Sequence, residues 1–103
     1  MTDVLRPVSL SVRASEEIIQ IMQTKNIPFN YFLRVGATGG GGCGGAKLII
    51  GFDKKRESDL HYKHGDIDML VDKKHVLFLI GKEVDFYEGA DAKGFLFLDS
   101  VNT

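Results

Sequence analysis

The 103-residue chain contains few of the residues that mark certain protein classes: one cysteine, two prolines and no tryptophan. A single cysteine cannot form an intramolecular disulfide, which excludes a disulfide-stapled secreted domain. The 13 basic and 14 acidic side chains nearly balance. Because a strong charge excess is typical of proteins that bind duplex DNA or anionic membranes, we expect neither nucleic acid nor membrane as a partner.

Long apolar runs are also missing. The longest uninterrupted one spans residues 76–80, whereas a membrane-spanning helix needs about 20 apolar residues. Residues 1–12 carry no apolar core of a signal peptide. We therefore expect a cytoplasmic protein, and the length fits a single domain over residues 1–103.

One long helix is predicted near the N-terminus. Residues 8–11 favour a short strand, and Ser11 is a suitable N-cap for the helix that follows it. Four apolar residues then recur at helical spacing and should face the core: Ala14, Ile18, Ile21 and Met22.

The rest of the chain is dominated by strand patterns. Alternating or apolar segments predict strands at residues 31–37, 46–52, 60–62, 67–71, 84–86 and 95–98. Residues 72–80 fit either a strand or a short helix that Asp72 would cap. One long helix with six or seven strands predicts an α+β fold that is mostly β.

Glycine is the abundant residue, and it is concentrated in GGGGCGG at residues 39–45. Gly40, Gly42 and Gly45 formally match the dinucleotide-binding fingerprint. That fingerprint requires a following helix, whose N-terminus holds the pyrophosphate. The next residues, AKLIIGF, predict a strand instead, so we exclude a nucleotide site.

The only thiol of the chain, Cys43, lies within this glycine segment. Glycines allow backbone amides to point inward, where they stabilise a thiolate, and the thiolate is the form that binds metals. A lone cysteine is most often a small buried apolar residue. Because the neighbours of Cys43 are glycines, we expect its thiol at a surface or interface.

The order of several motifs resembles the HesB-like domain of the A-type iron–sulfur carrier family (IscA/SufA-like). The resemblance covers about residues 8–103 and rests on SLS at 9–11, FLRVG at 32–36, GGC at 41–43, GF at 51–52, LVDKKHVLFLIGKEVDF at 70–86 and KGFLF at 93–97. It implies a HesB-like fold, with one long N-terminal helix packed on two small mixed β-sheets.

The resemblance also implies a role in iron–sulfur cluster assembly. Cys43 would bind iron or a labile iron–sulfur cluster, and the surrounding loop would support the thiol: Gly41, Gly42, Gly44 and Gly45. The segment before Cys43 is one residue longer than is usual, and Gly44 stands where the family usually has serine or another small residue. Implied partners are an iron–sulfur scaffold or apoprotein recipients.

The cysteine count departs from the family pattern. The family has three cysteine ligands, two of them in a C-terminal Cys-Gly-Cys that would follow Asp99, and these 103 residues contain only Cys43. Because clusters normally take four protein ligands, mostly thiolates, we expect any cluster to be shared between subunits of a homodimer or higher homo-oligomer. Small thiols, oxygen ligands, a histidine or a partner's cysteine are all open as further ligands.

Other potential metal ligands have no distinct pattern. His61 and His64 are three residues apart, on opposite faces of a predicted strand, and His75 lies in a charged turn without an expected role. Four carboxylates lie near the C-terminal strands and could donate oxygen to iron: Asp85, Glu88, Asp91 and Asp99.

Two other functions remain open. In the first, the HesB-like fold has lost its metal site and serves as an adaptor through protein contacts. In the second, Cys43 is a catalytic nucleophile. A nucleophilic cysteine usually needs an adjacent base, and no histidine has a clear claim to that position, so we expect that the protein is not an enzyme.

Overall fold

The computed structural model describes residues 6–38 and 47–99. Within these residues the chain forms seven strands and two helices, in the order β1 (Val8–Leu10), α1 (Val12–Thr24), β2 (Phe32–Thr38), β3 (Lys47–Asp53), β4 (Asp59–His64), β5 (Ile67–Asp72), α2 (Val76–Leu79), β6 (Lys82–Glu88) and β7 (Lys93–Asp99). A 3-10 turn, Lys73–His75, precedes α2.

The strands form two small mixed sheets. The four-stranded sheet has the order β3-β2-β5-β4, in which β2 and β5 are parallel and the outer pairs are antiparallel. The three-stranded sheet has the order β1-β6-β7, with β1 parallel to β6 and β6 antiparallel to β7. This arrangement confirms the predicted α+β fold with two mixed sheets and one long helix.

Helix α1 begins at the predicted residue. The backbone N–H of Ala14 donates to Oγ of Ser11 at 3.0 Å, which satisfies one of the free amides at the helix start. The helix ends where Asn26 adopts a left-handed conformation, with φ of 52°, shortly before Pro28. On its inner face Ala14 and Ile18 are buried, as the helical spacing predicted, whereas Ile21 and Met22 of the same predicted face are only partly buried.

A single apolar cluster joins α1 and the two sheets. Its fully or nearly fully buried members include Val8, Leu10, Ala14, Ile18, Leu33, Val35, Ala37, Tyr62, Ile67, Met69, Val71, Leu79, Val84 and Phe86. Tyr62 connects the sheets through its hydroxyl, which donates to the Val8 carbonyl oxygen at 2.7 Å and accepts from the Val8 N–H at 3.3 Å. Burial raises the pKa of Tyr62 to about 12.

The ambiguous segment at residues 72–80 is helical from Lys73 to Leu79. The Asp72 carboxylate accepts from the Lys74 N–H at 3.0 Å, and this cap starts the 3-10 turn that leads into α2. Leu79 anchors α2 in the core, whereas Leu77 is 87% exposed. Neither helix in residues 6–38 and 47–99 combines the length and apolar character needed to cross a membrane.

Candidate metal centre

The glycine segment connects two strand ends that lie side by side. Strands β2 and β3 pair along their whole lengths, and the last pair places Thr38 opposite Lys47. The predicted ligand Cys43 and its supporting glycines fall in the connection at residues 39–46 and lie outside the described residues: Gly41, Gly42, Gly44 and Gly45. The strand that follows the connection confirms that the glycines do not open a nucleotide-binding helix.

A buried ion pair holds the strand that leads into this connection. Arg34, in the middle of β2, donates from both terminal nitrogens to the two carboxylate oxygens of Asp59, each at 2.6 Å. The Asp59 side chain is fully buried. The Arg56 backbone N–H adds a third bond to Asp59 at 2.7 Å. The start of β4 and the turn before it are thereby fastened to β2.

The same guanidinium also holds the end of β3. The Nε of Arg34 donates to Asp53 at 3.0 Å, and Arg56 reaches the same carboxylate oxygen at 2.9 Å. Hydrogen bonding from Arg34 is the largest cause of a lowered Asp59 pKa, and Asp59 in turn raises the pKa of Arg34. The pKa of Asp53 is lowered mainly by the Lys54 backbone N–H, which donates to it at 2.8 Å.

His75 packs against β2 near the connection. A Cβ atom added to Gly36 would lie 2.6 Å from Nδ1 of His75, so only a glycine allows the imidazole to come this close. Gly36 lies two residues before Thr38, the last residue of β2. The sequence pattern predicted no role for His75. A glycine inside an otherwise regular strand pattern was the available signal of a close approach.

The other two histidines lie apart, as their spacing predicted. His61 bonds Asp68 through Nε2 at 2.9 Å, and its ring lies 4.9 Å from that of Phe32. His64 ends β4 at the opposite end of the sheet from Thr38 and faces α1 beside Leu10 and Ser15.

The four C-terminal acidic residues occupy different backbone positions around β6 and β7. Asp85 accepts from the Ser11 hydroxyl at 2.6 Å, the largest cause of its lowered pKa. Glu88 and Asp91 lie at the turn end of β6 and β7, whereas Asp99 lies at the other end, opposite Lys82. Within residues 6–38 and 47–99 no three His, Cys, Asp or Glu residues are grouped to hold a metal ion.

Most of the chain is similar to proteins of known role. No family model matches it. The iron–sulfur cluster insertion protein ErpA of Actinobacillus succinogenes is 32% identical over 97 residues, which cover 93% of this chain and 84% of that protein. This chain belongs to the A-type iron–sulfur carrier family.

Solved structures agree with the fold of this A-type carrier. Escherichia coli SufA, which is involved in the biosynthesis of iron–sulfur clusters, matches with a TM-score of 0.72 at 21% identity, over 96% of this chain and 85% of SufA. IscA with a [2Fe–2S] cluster matches with a TM-score of 0.74 at 18% identity, over 89% of this chain and 84% of IscA. Both likenesses confirm the HesB-like fold that the motifs implied.

Proposed function

We propose that this A-type carrier binds iron or a labile iron–sulfur cluster through the Cys43 thiolate and passes it to apoproteins. The similarity to an iron–sulfur cluster insertion protein over most of both chains carries the proposal. Thiolates are the usual ligands of such clusters, and Cys43 is the one thiol of the chain. Because the cluster is cargo, a loosely held site suits the role better than a closed one.

The low thiol count supports a site shared between subunits. One chain supplies one cysteine, and a two-fold symmetric pair would supply two from equivalent positions. The remaining ligands would come from other donors. We therefore propose a homodimer or higher homo-oligomer in the cytoplasm, with an iron–sulfur scaffold and apoprotein recipients as partners, and a carrier rather than an enzyme.

Anaerobic reconstitution of the purified chain with iron and sulfide tests this function. We expect a visible thiolate-to-iron charge-transfer band in the wild type and its loss in Cys43→Ser. A matched control relocates the thiol in the double variant Cys43→Ser with Glu57→Cys, since Glu57 is exposed in the turn between β3 and β4. Iron binding by the wild type and not by the relocated thiol supports the proposal. A colourless wild type without iron by elemental analysis would refute it.

The cysteine count also favours a second candidate, an adaptor that has lost metal binding. Cys43 is the one thiol in these 103 residues, and residues 6–38 and 47–99 hold no group of three potential metal ligands. An adaptor would keep its partner interactions in Cys43→Ser, because its contacts would not depend on the thiol. Unchanged partner binding, together with a wild type that takes up no iron, would favour this candidate.

A further inference from the structure

Helix α1 presents an apolar stripe on its outer side. Val12 and Ile19 are seven residues apart and therefore lie on the same side of the helix, where they are 73% and 39% exposed. Together with the turn between β4 and β5 they border a groove of about 260 Å³. The buried side chains of Leu10 and Ile67 form its floor. We call this the apolar groove.

Two carboxylates belong to the lining of the apolar groove. Glu16 and Asp66 line it. Glu16 also lines a neighbouring groove of about 240 Å³, the acidic groove, whose lining residues are Arg13, Glu16, Glu17, Gln20, Phe86 and Glu88. The two grooves thus meet at one exposed glutamate of α1.

Arg13 on α1, and Lys93, which lies opposite Glu88 in the β6–β7 register, offset part of this negative charge. Arg13 is the one cation that lines the acidic groove, and its charge also acts on Asp85, whose pKa it helps to lower. His64 is the one histidine that lines the apolar groove, and no lysine or arginine of residues 6–38 and 47–99 lines it. The surface therefore combines an apolar cavity with a negative flank.

We propose that the two grooves form a docking surface for an amphipathic helix of a partner protein whose apolar face is flanked by lysine or arginine. The apolar groove has room for a large aliphatic side chain. The cationic side chains would lie over Glu16 and Glu17 of α1. Apolar contact supplies the affinity, and charge complementarity selects the partner and speeds association.

The apolar groove is bordered by a turn that lies away from the strand end leading to Cys43. The turn between β4 and β5 lies at the end of the four-stranded sheet opposite to Thr38, where β2 leads into residues 39–46. A helix bound here would leave that end uncovered. Docking at this surface goes beyond the proposed function and requires no metal. Either proposal can therefore fail while the other holds.

An NMR titration of the metal-free full chain with synthetic peptides tests the inference. The probe is an amphipathic helical peptide with a leucine face flanked by lysines, and the matched control peptide carries glutamate in place of each lysine. We expect shifts of the amide signals of Val12, Glu16, Ile19 and Ile67, and about tenfold weaker binding of the glutamate peptide. Equal binding of both peptides, or shifts confined to α2, would overturn the proposal.

Substitutions in the protein itself test the same docking surface. The double variant Glu16→Lys with Glu17→Lys should weaken binding of the lysine peptide about tenfold. The exposed control Glu57→Lys in the turn after β3 should not. Circular dichroism checks that both variants remain folded. If the α1 variant binds the lysine peptide as tightly as the wild type does, the docking surface is wrong.

Discussion

Arg34 shows how much of this fold depends on one side chain. Its guanidinium bonds Asp59 and Asp53 and donates to the Lys54 carbonyl oxygen at 2.9 Å. Since Asp59 is fully buried, its charge is tolerated only because the guanidinium and a backbone amide satisfy it. The ion pair thus sets the relation between β2, the strand entering the cysteine segment, and the turn after β3.

Acid unfolding should reveal how much the Arg34–Asp59 ion pair contributes to stability. The folded-state pKa of Asp59 lies below its ordinary value of 3.8. Its contribution to stability is therefore present above that value and is lost as the pH falls through the lowered pKa. We expect Asp59→Asn to lose on the order of 3 kcal/mol at neutral pH, because Arg34 loses its main partner, and to show a weaker loss of stability on acidification.

Urea unfolding at several pH values between about 7 and about 2.5 measures both effects. The control is Asp66→Asn, which removes an exposed carboxylate from the turn between β4 and β5. It should keep the stability of the wild type at neutral pH. If the stability of Asp59→Asn falls with pH as steeply as that of the wild type, Asp59 is not the source of this acid dependence.

The short elements between β5 and β6 decide what lies against the end of β2. The 3-10 turn Lys73–His75 places the His75 imidazole on Gly36, while Leu79 of α2 enters the core. The connection from one sheet to the other therefore passes beside the strand that leads to Cys43. These two elements together comprise only seven residues, 73–79.

Gly36→Ala should lower the stability of the protein, because it disturbs the contact with His75. The added methyl group would meet Nδ1 of His75 at 2.6 Å and Cε1 at 3.0 Å, so the turn has to shift, at a cost of about 1–3 kcal/mol. Removing the imidazole in Gly36→Ala with His75→Ala should restore part of that loss. Thermal or urea unfolding of the wild type, both single variants and the double variant gives the coupling between the two positions.

The matched control is Gly51→Ala on β3, where an added Cβ meets nothing within 4 Å. Gly51→Ala should therefore cost little. Additive effects of Gly36→Ala and His75→Ala would show that the contact between these residues does not form in solution.

At the scale of the whole molecule, cluster binding through Cys43 should depend on the oligomeric state of the protein. If two chains share one [2Fe–2S] cluster, the loaded protein is a dimer with about one iron atom per chain. Analytical ultracentrifugation with iron analysis should show a dimer after reconstitution. In Cys43→Ser the same treatment should change neither the mass nor the iron content. A loaded monomer would contradict the shared site.

The local patterns predicted most of the elements correctly. Helix α1 with its Ser11 cap and the alternating strands agree with the structure because their signals are short-range: helical spacing, strand alternation and a capping hydroxyl. Residues 72–80 stayed ambiguous because a run of five apolar residues suits a buried strand as well as a helix. In the folded protein this segment is helical, and Leu79 is buried in the core.

The sequence by itself determined the class of fold, the family resemblance and the one candidate thiol ligand, Cys43, because these depend on residue identity and order along the chain. Only the tertiary structure decided which distant side chains meet. It joined Arg34 to Asp59 and placed His75 on Gly36. It also set the apolar stripe of α1 beside the carboxylate of Asp66. These contacts depend on strand register and sheet packing, which bring together residues far apart in sequence and leave no local pattern.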